Sequence, residues 1–231
     1  MKKWQVPFAL TVRVVLRKWE DMMKLREGEL NLGAEPLVAL QVWLNEAVQA
    51  GLPEPTAMNL ATVDAEGQPS SRIVLLKGIG SGGGGPGEAG LEFYTNYESR
   101  KSQHLLNEPR AALCFHWVAM RRQVRVEGVV QKLTPEENET YFQTRPRESR
   151  LGAWSSPQSR EVASREDLLA KVKEIEAKFG ATGPVPCPPF WGGWRLRPHR
   201  VEFWEERPHR LHERVLFVRQ GGGWVSSRLA P

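Results

Sequence analysis

The sequence predicts an antiparallel β-barrel with peripheral helices, a mainly β or α+β fold class. Three observations lead to this prediction. Short runs rich in β-branched and aromatic residues follow one another along the chain, turn residues separate them, and few helical segments lie between them. Strands that alternated with helices would instead indicate a parallel sheet. Many short strands with few intervening helices are typical of antiparallel barrels.

The first predicted element is a helix over Pro36–Gln49. Its apolar residues recur near the helical period, and Pro36 suits the first turn of a helix. The proline-containing segment 51–55 ends it. The first 19 residues are basic and contain no acid. We expect residues 1–22 to be a disordered or non-native extension and residues 23–231 to form a single domain.

A change of period after the first helix predicts strands. Each run is short, β-rich and bounded by turn residues, and the runs cover residues 57–63, 72–77, 91–96, 111–117 and 123–130. The Asp-Ala-Glu-Gly segment at 64–67 predicts a hairpin turn between the first two strands. Residues 80–90 contain seven glycines, so we expect a flexible connection there.

The second half of the chain carries three predicted helices and three predicted strands. Helical segments are predicted over 99–106, 135–145 and 165–179. Pro146 ends the middle one, because proline cannot continue a helix interior. The final strands are predicted over 194–204, 210–218 and 223–228.

Composition limits the possible functions. Lys plus Arg number 32 against 27 Asp plus Glu, a modest surplus without the basic run that marks a nucleic-acid patch. The sequence contains no stretch of about 18 apolar residues, so it predicts no membrane span. Cys114 and Cys187 lie far apart and have no zinc-type spacing to other cysteines or histidines. We therefore expect no metal, no nucleic acid and no membrane, and a reducing, cytoplasmic setting.

A cationic motif lies in the strand predicted over 210–218. Alternation along a strand would place Arg210, His212 and Arg214 on one face. Arginine binds phosphate or carboxylate, and histidine handles protons near neutral pH. The motif predicts a site for an anionic ligand beside a proton-handling group. A solvated edge strand with scattered charges is the alternative.

Two further motifs indicate phosphate. Arg100 and Lys101 begin a predicted helix after a candidate cap, Asn96 or Ser99. Cations in a first turn oppose the helix dipole, so their presence there suggests a bound anion. Farther along, Tyr141 and Arg145 share a helix face at i and i+4.

With Ser149, which is expected to follow Pro146 after a turn, Tyr141 and Arg145 could clamp a second phosphate. An arginine lying over an aromatic ring is the alternative there. The amide of Gln123 could hydrogen-bond the edge of a heterocycle. The motifs together suggest two phosphorylated molecules bound side by side.

These motifs occur in an order that resembles the pyridoxine/pyridoxamine 5'-phosphate oxidase family. The resemblance spans about residues 36–231. Its landmarks lie at residues 70–78, 93–101, 122–128, 141–147, 191–193, 202–204, 210–214 and 228–231.

The resemblance implies an FMN-binding split β-barrel of Greek-key type, working as a homodimer with FMN at the subunit interface. It implies that FMN contacts Arg72, Ile73, Val74, Leu75, Tyr94, Thr95, Arg100, Lys101, Gln123, Gln158, Ser159, Trp204 and Arg214. It implies that the B6 phosphate substrate contacts Lys77, Tyr141, Arg145, Ser149, Arg210, Leu211 and His212.

The implied reaction is oxidation of pyridoxine or pyridoxamine 5'-phosphate to pyridoxal 5'-phosphate. Hydride passes from the substrate C4' carbon to flavin N5, and oxygen reoxidises the flavin to give hydrogen peroxide. With pyridoxamine phosphate, the resulting imine is hydrolysed and ammonia is released. Arg210 and His212 are the expected catalytic residues, holding the substrate against the flavin.

The chain departs from the family pattern in two places. Glu205 and Glu206 stand where the family has Gln-Gly, and residues 24–30 lack the tyrosine of the family's covering segment. Two alternatives stay open beside the leading hypothesis. One is a split-barrel flavin oxidoreductase acting on a different small molecule, such as a phenazine-type precursor or free flavin. The other is a non-catalytic protein that binds FMN or a B6 phosphate.

Overall fold

The computed structural model describes residues 31–80 and 89–231. The predictions for residues 1–22, for the segment 24–30 and for most of the glycine-rich connection lie outside these residues. Among the described helices, none is both long and apolar enough to cross a membrane.

Helix α1 spans Pro36–Gln49, with the bounds that the sequence predicts. Pro36 lies in its first turn, where a missing N–H breaks no helical hydrogen bond. The buried face of α1 carries Trp43, which packs edge-on against Trp117 and Phe203 at centroid distances of 6.4 and 5.1 Å. The helix is therefore fixed by aromatic contacts as well as by its own hydrogen bonds.

The described strands form one sheet in the order β2-β1-β5-β6-β7-β4-β3, with β8 beside β7 and β9 beside β8. The registered pairs β3–β4, β4–β7, β7–β8 and β8–β9 are all antiparallel. The strands are β1 Ala57–Val63, β2 Pro69–Leu75, β3 Gly78–Gly80, β4 Gly90–Asn96, β5 Arg110–Trp117, β6 Arg122–Lys132, β7 Trp191–Glu205, β8 Glu213–Gln220 and β9 Gly223–Arg228. The predicted antiparallel sheet is confirmed.

Four α-helices follow α1 in the described residues: α2 Arg100–Asn107, α3 Pro135–Thr144, α4 Arg147–Ser155 and α5 Arg165–Phe179. A capping box formed by Thr134 and Glu137 starts α3. The sequence pattern does not predict α4, because Pro146 indicates only the end of the preceding helix. Pro146 is also the N-cap of α4, so Ser149 lies in the first turns of a helix rather than after a turn.

The prediction of a strand over 210–218 is wrong at its start. Residues Pro208–Arg210 form a 3-10 turn, and β8 begins only at Glu213. His209 and Arg210 have φ of 57° and 62°, in the left-handed region that interrupts strand alternation. Arg210 and His212 therefore do not share a strand face with Arg214.

The strand predicted over 72–77 is also displaced. Strand β2 ends at Leu75, so Lys77 lies in the connection to β3. The backbone N–H of Lys77 donates to Glu92 O at 2.8 Å, which ties this connection to β4.

Contacts divide the chain into two compact units. Within the described residues, the first contains 31–57, 114–126 and 200–231. Its core includes Phe203 and Phe217, whose rings lie 5.9 Å apart. The second contains residues 58–80, 89–113 and 127–199. Part of its core is a cluster of buried residues formed by Phe142, Leu151, Val185 and Trp191.

Gly128 is a packing constraint in the second unit that a single substitution tests. A Cβ at Gly128 would lie 2.2 Å from Arg197 O and 2.6 Å from Leu196 Cδ2. Because the carbonyl belongs to a strand backbone, Gly128→Ala should lower the free energy of unfolding by about 1–3 kcal/mol in urea titrations.

Gly152→Ala in helix α4 is the matched control, since a Cβ there would meet no described atom within 4 Å beyond its chain neighbours and the nearby backbone of its own helix. That change should raise the free energy of unfolding by about 0.5–1 kcal/mol, as expected for alanine in a helix. A Gly128→Ala protein as stable as the unsubstituted chain would contradict the packing of β6 against β7.

Candidate functional site

Lys101 is the centre of a polar cluster in the second unit. Its Nζ donates to Thr95 Oγ1 at 3.0 Å, Ser99 Oγ at 3.1 Å and Gln158 Oε1 at 2.8 Å. Thr95 also donates to Gln158 Oε1 at 2.8 Å. The family resemblance assigns Thr95, Lys101 and Gln158 to one ligand, and the structure brings these side chains together. The oxygens that hold the ammonium group are all neutral.

Arg72 reaches the same region from strand β2. Its guanidinium donates to Leu60 O at 3.0 Å, Thr62 Oγ1 at 2.7 Å and Ser70 Oγ at 2.9 Å. Thr62 Oγ1 is in turn 3.1 Å from His104 Nδ1, in a buried contact. These bonds fix the direction of the Arg72 side chain while leaving its charge without an acidic partner among them.

The pKa values show that the cations of this cluster affect one another. Burial, and then the charge of Arg72, lower the pKa of Lys101 to about 8. Burial, and then the charge of Arg100, lower the pKa of Arg72. Both shifts have the sign expected for positive groups that lack a nearby anion. A bound anion would remove this repulsion.

The start of helix α2 adds donors to the cluster. Ser99 is the N-cap, yet its side chain makes no capping bond, and the first turn carries no acidic residue. Asn96, the other candidate cap, instead accepts from the N–H of Glu98 at 2.7 Å. The exposed Arg100 is the first helical residue. Free N–H groups and a cation at one helix start favour phosphate.

A stack of aromatic rings forms a second group in the same unit. Tyr94 stacks on Tyr141 with centroids 3.8 Å apart and on Trp191 at 5.4 Å. The Arg145 guanidinium carbon lies 4.6 Å from the Trp191 ring centre and 5.4 Å from that of Phe142. The arginine thus lies over an aromatic ring, as the alternative interpretation of this motif expects.

Arg145 nevertheless keeps a donor available. Its Nη1 is buried and has no hydrogen-bond partner among the described residues. Burial lowers the pKa of Arg145 and raises the pKa values of Tyr141 and Tyr94. Both phenols are therefore neutral donors at physiological pH. A buried guanidinium N–H without an acceptor is costly, so this group fits an anionic ligand better than a purely structural role.

The first unit groups Trp204 with His212. Their ring centroids are 4.8 Å apart, and His212 Nδ1 accepts a hydrogen bond of 3.2 Å from the Arg207 N–H. Trp204 also pairs with Arg214 across the β7–β8 ladder.

Arg214 is already neutralised. It contacts Glu202 at 2.8 Å and donates to Ala230 O at 2.9 Å. Arg214 therefore already has an anionic partner, which is a carboxylate of the protein itself.

The remaining predicted site residues take no part in the side-chain hydrogen bonds and ring contacts described above. Ile73 and Leu211 expose 64% and 66% of their surface, which leaves both free for apolar contact. Val74 and Leu75 are half-buried on β2, as is Gln123 on β6. The exposed members are Lys77, Ser149, Ser159 and Arg210. Ser159 and Arg210 both have positive φ, of 69° and 62°.

Several residues that shape the site are missing from the sequence prediction. Thr62 and Ser70 hold Arg72, and Trp191 supports Arg145. Ser99, predicted only as a candidate cap, accepts a hydrogen bond from Lys101. A signal for Thr62 exists, because it takes an inward position in the alternating pattern of β1 that Met58 and Leu60 also occupy. A polar residue at a core position of a strand often has a specific partner.

Comparison with known proteins gives matches along most of the chain. Residues 44–179 match the family model described as pyridoxamine 5'-phosphate oxidase. Residues 191–231 match the model described as the pyridoxine 5'-phosphate oxidase C-terminal dimerisation region. A relative named pyridoxine/pyridoxamine 5'-phosphate oxidase from Cupriavidus taiwanensis is 52% identical over 205 residues, covering 88% of this chain and 92% of the relative. One of the same name from Chromobacterium violaceum is 52% identical over 200 residues, covering 85% and 89%.

Two solved structures match the fold of this chain. PhzG from Burkholderia lata, in complex with tetrahydrophenazine-1-carboxylic acid, matches with a TM-score of 0.78 and 32% identity, over 86% of this chain and 94% of that one. A pyridoxamine 5'-phosphate oxidase-related, FMN-binding protein from Nostoc punctiforme matches with a TM-score of 0.67 and 19% identity, over 87% and 100%. The predicted fold class, an antiparallel split β-barrel with peripheral helices, is confirmed.

The mutual effect of the cations can be measured directly. In protein freed of bound anions, an NMR titration of labelled lysine side chains should give a pKa of about 8 for Lys101. Arg72→Gln should raise this pKa part of the way toward its ordinary value, because it removes the smaller of the two causes. Arg72→Lys keeps the charge and is the control. A Lys101 pKa that does not change in Arg72→Gln would contradict the proposed repulsion.

Proposed function

The chain belongs to the pyridoxine/pyridoxamine 5'-phosphate oxidase family, and from that membership we propose that it oxidises both B6 phosphates to pyridoxal 5'-phosphate. Oxygen is the electron acceptor. Pyridoxine phosphate and oxygen give pyridoxal phosphate and hydrogen peroxide. Pyridoxamine phosphate, oxygen and water give the same two products and ammonia. The enzyme is thus an oxidoreductase acting on CH–OH and CH–NH2 groups.

FMN is the cofactor, and when bound it supplies a two-electron acceptor. The observation that carries the proposal is a set of three cations, Arg72, Arg100 and Lys101. The charge of Arg100 lowers the pKa of Arg72, and the charge of Arg72 lowers the pKa of Lys101. Arg100 and Lys101 also lie at the start of a helix whose N-cap side chain makes no capping bond. This arrangement fits the phosphate of FMN, because a dianion relieves the repulsion and accepts several charge-assisted hydrogen bonds. Thr95 and Gln158 lie beside Lys101 and would complete the phosphate contacts.

The other residues assigned to FMN would hold the rest of the molecule. They are Ile73, Val74, Leu75, Tyr94, Gln123, Ser159, Trp204 and Arg214. Gln123 would offer an amide to the ring edge, and the exposed Ile73 would offer apolar surface. Arg214 is fixed by Glu202 and Ala230, so it would act as an oriented group rather than as a mobile charge.

Substrate binding is assigned to a second set of groups. Arg145 offers a buried N–H without a partner among the described residues, and Tyr141 is a neutral donor beside it. These two would take the substrate phosphate, together with Lys77 and Ser149. Arg210, Leu211 and His212 would hold the ring and its reacting carbon. Turnover depends steeply on that alignment, so Arg210 and His212 are the proposed catalytic residues.

The assembly and setting are proposed as well. The match of residues 191–231 to a dimerisation region supports a homodimer with FMN at the subunit interface. Residues 23–231 are proposed to act as one catalytic domain. The free cysteines Cys114 and Cys187 support a cytoplasmic location. No nucleic acid or membrane partner is proposed.

The purified protein is expected to be yellow and to consume oxygen with either B6 phosphate. Oxygen uptake should be accompanied by an equal amount of hydrogen peroxide, and by ammonia only with pyridoxamine phosphate. Size-exclusion chromatography with light scattering should give twice the 26.2 kDa chain mass. Failure to retain FMN at micromolar concentration would contradict the proposal.

A second candidate function rests on the likeness to PhzG, whose structure holds tetrahydrophenazine-1-carboxylic acid. The chain would then act on a phenazine-type precursor. The curated relatives, at 52% identity, carry the B6 name and favour the first proposal. A panel with both B6 phosphates and the tetrahydrophenazine acid separates the two. Bound FMN without turnover of any of them would indicate a non-catalytic binding protein.

Single substitutions should separate the cofactor residues from the substrate residues. Arg100→Ala should weaken FMN binding by roughly 1.5–3 kcal/mol through loss of a charge-assisted phosphate contact. His212→Ala and Arg210→Ala should instead lower kcat or raise KM while FMN stays bound. Flavin fluorescence titration and oxygen uptake give the two readouts.

Arg110→Ala is the matched control for removal of an exposed arginine, since Arg110 pairs only with its neighbour Glu108 at 2.7 Å among the described ion pairs. It should change neither readout. Loss of flavin from His212→Ala would overturn the assignment of that residue to the substrate.

A further inference from the structure

The loop of residues 206–212 carries both proposed catalytic residues. It joins β7 to β8, whose last registered pair is Glu205 with Glu213. Two residues of the loop, His209 and Arg210, have positive φ without being glycine. Such conformations cost about 1–3 kcal/mol each and persist only where surrounding contacts impose them. Something must therefore hold this loop in place.

A buried ion network lies at the base of the loop. Glu205 Oε1 accepts from Arg122 Nε at 2.8 Å, and Glu205 Oε2 lies 2.9 Å from Arg207 Nη1. Arg122 also pairs with Glu46 of helix α1, and its guanidinium lies 4.4 Å from the ring centre of Trp43. The side chains of Arg122, Glu205 and Arg207 are 2%, 4% and 10% exposed. Within this network, the charges of Arg122 and Arg207 are balanced by those of Glu46 and Glu205.

Arg207 connects this network to His212. Its side chain is held by Glu205, and its backbone N–H donates to His212 Nδ1. A backbone N–H can only donate, so Nδ1 carries no proton. The neutral imidazole then carries its proton on Nε2 and offers a donor there. Contact with Trp204 limits rotation of the same ring.

We propose that Glu205 and Arg207 are positioning residues that fix His212 as the Nε2–H tautomer for the substrate. The inference rests on the proposed function and adds the residues that prepare its catalytic histidine. It also gives a physical role to Glu205, which stands where the family has glutamine. A carboxylate at this position can bind Arg122 and Arg207 together, whereas a neutral amide would remove the charge that the two buried cations share.

The test compares Glu205→Gln, Arg207→Gln and the double variant in the FMN-loaded protein. The adjacent Glu206→Gln is the matched control, since it removes the same charge from a side chain whose described ion pair is with Arg121, at 3.2 Å. Each single variant leaves an unbalanced buried charge and should lower Tm. The double variant removes one charge of each sign, so its Tm should lie closer to that of the unsubstituted protein.

The first readout is the ring nitrogen spectrum of His212 in protein labelled with 15N-histidine. The unsubstituted protein and Glu206→Gln should show one unprotonated Nδ1 and one protonated Nε2. Glu205→Gln, Arg207→Gln and the double variant should show averaged tautomers. Assignment uses His212→Ala, and the measurement needs no substrate.

The second readout is turnover of both B6 phosphates, normalised to bound FMN. The two single variants and the double variant should lose about 10- to 100-fold in kcat/KM, as expected when a reacting group is displaced by about 1 Å. If the double variant recovers Tm but neither the Nε2–H tautomer of His212 nor kcat/KM, the positioning role of Glu205 and Arg207 is supported. If it recovers Tm, the tautomer and kcat/KM together, the positioning role is overturned and the ion network is purely structural.

The two readouts also separate this inference from the function on which it rests. If the unsubstituted protein turns over neither B6 phosphate, the proposed function fails, while the tautomer comparison still decides how His212 is held. If turnover is normal and His212 has the same ring spectrum in all variants, the positioning role fails alone.

Discussion

Repulsion among cations near the start of helix α2 is the constraint on which the functional assignment depends. Arg72 and Lys101 are partly buried, and their side chains donate to hydroxyl, amide and carbonyl oxygens rather than to carboxylates. The pKa of each is lowered by burial and by a neighbouring positive charge. A fold that keeps such an arrangement gains stability when a phosphate binds, because the anion removes the repulsion and accepts the free donors.

Three arginines of the first unit show the opposite arrangement. Arg214 faces Glu202, and Arg122 and Arg207 share Glu205, so their charges are balanced by buried carboxylates. The same residue type therefore serves two purposes that the environment decides. Where the partners are neutral, the guanidinium remains available to a ligand. Where the partner is a carboxylate, as for Arg207 with Glu205, the pair instead lies at the base of the loop of residues 206–212.

Local pattern predicted most elements, because periodicity and turn residues are local properties. The bounds of α1, β1, α5 and β9 agree with those predicted. The prediction of a strand over 210–218 was wrong at its start, because a turn at Pro208 and two left-handed residues interrupt the extended backbone. The alternation of side chains in the sequence does not reveal backbone φ. Gln158 lies far from Thr95 and Lys101 in sequence, and only the family resemblance predicted that the three belong together.

The local sequence pattern could not predict the ion pairs. Glu202 meets Arg214 only through the β7–β8 register, and Arg122 and Glu205 are 83 residues apart in sequence. These pairs determine which cations stay available to a ligand. The sequence thus named candidate ligand-binding residues, but it could not tell which of them were already neutralised by a carboxylate of the protein itself.

The relative affinity of the apoprotein for FMN and riboflavin tests the central claim most directly, since the two ligands differ only in the phosphate. Fluorescence titration at neutral pH should show FMN binding at least about 100-fold more tightly, given about 1.5–3 kcal/mol for each hydrogen bond to a charged group. Equal affinity for the two flavins would show that the cations near Lys101 do not bind the phosphate, and it would contradict the assignment of this cluster to FMN.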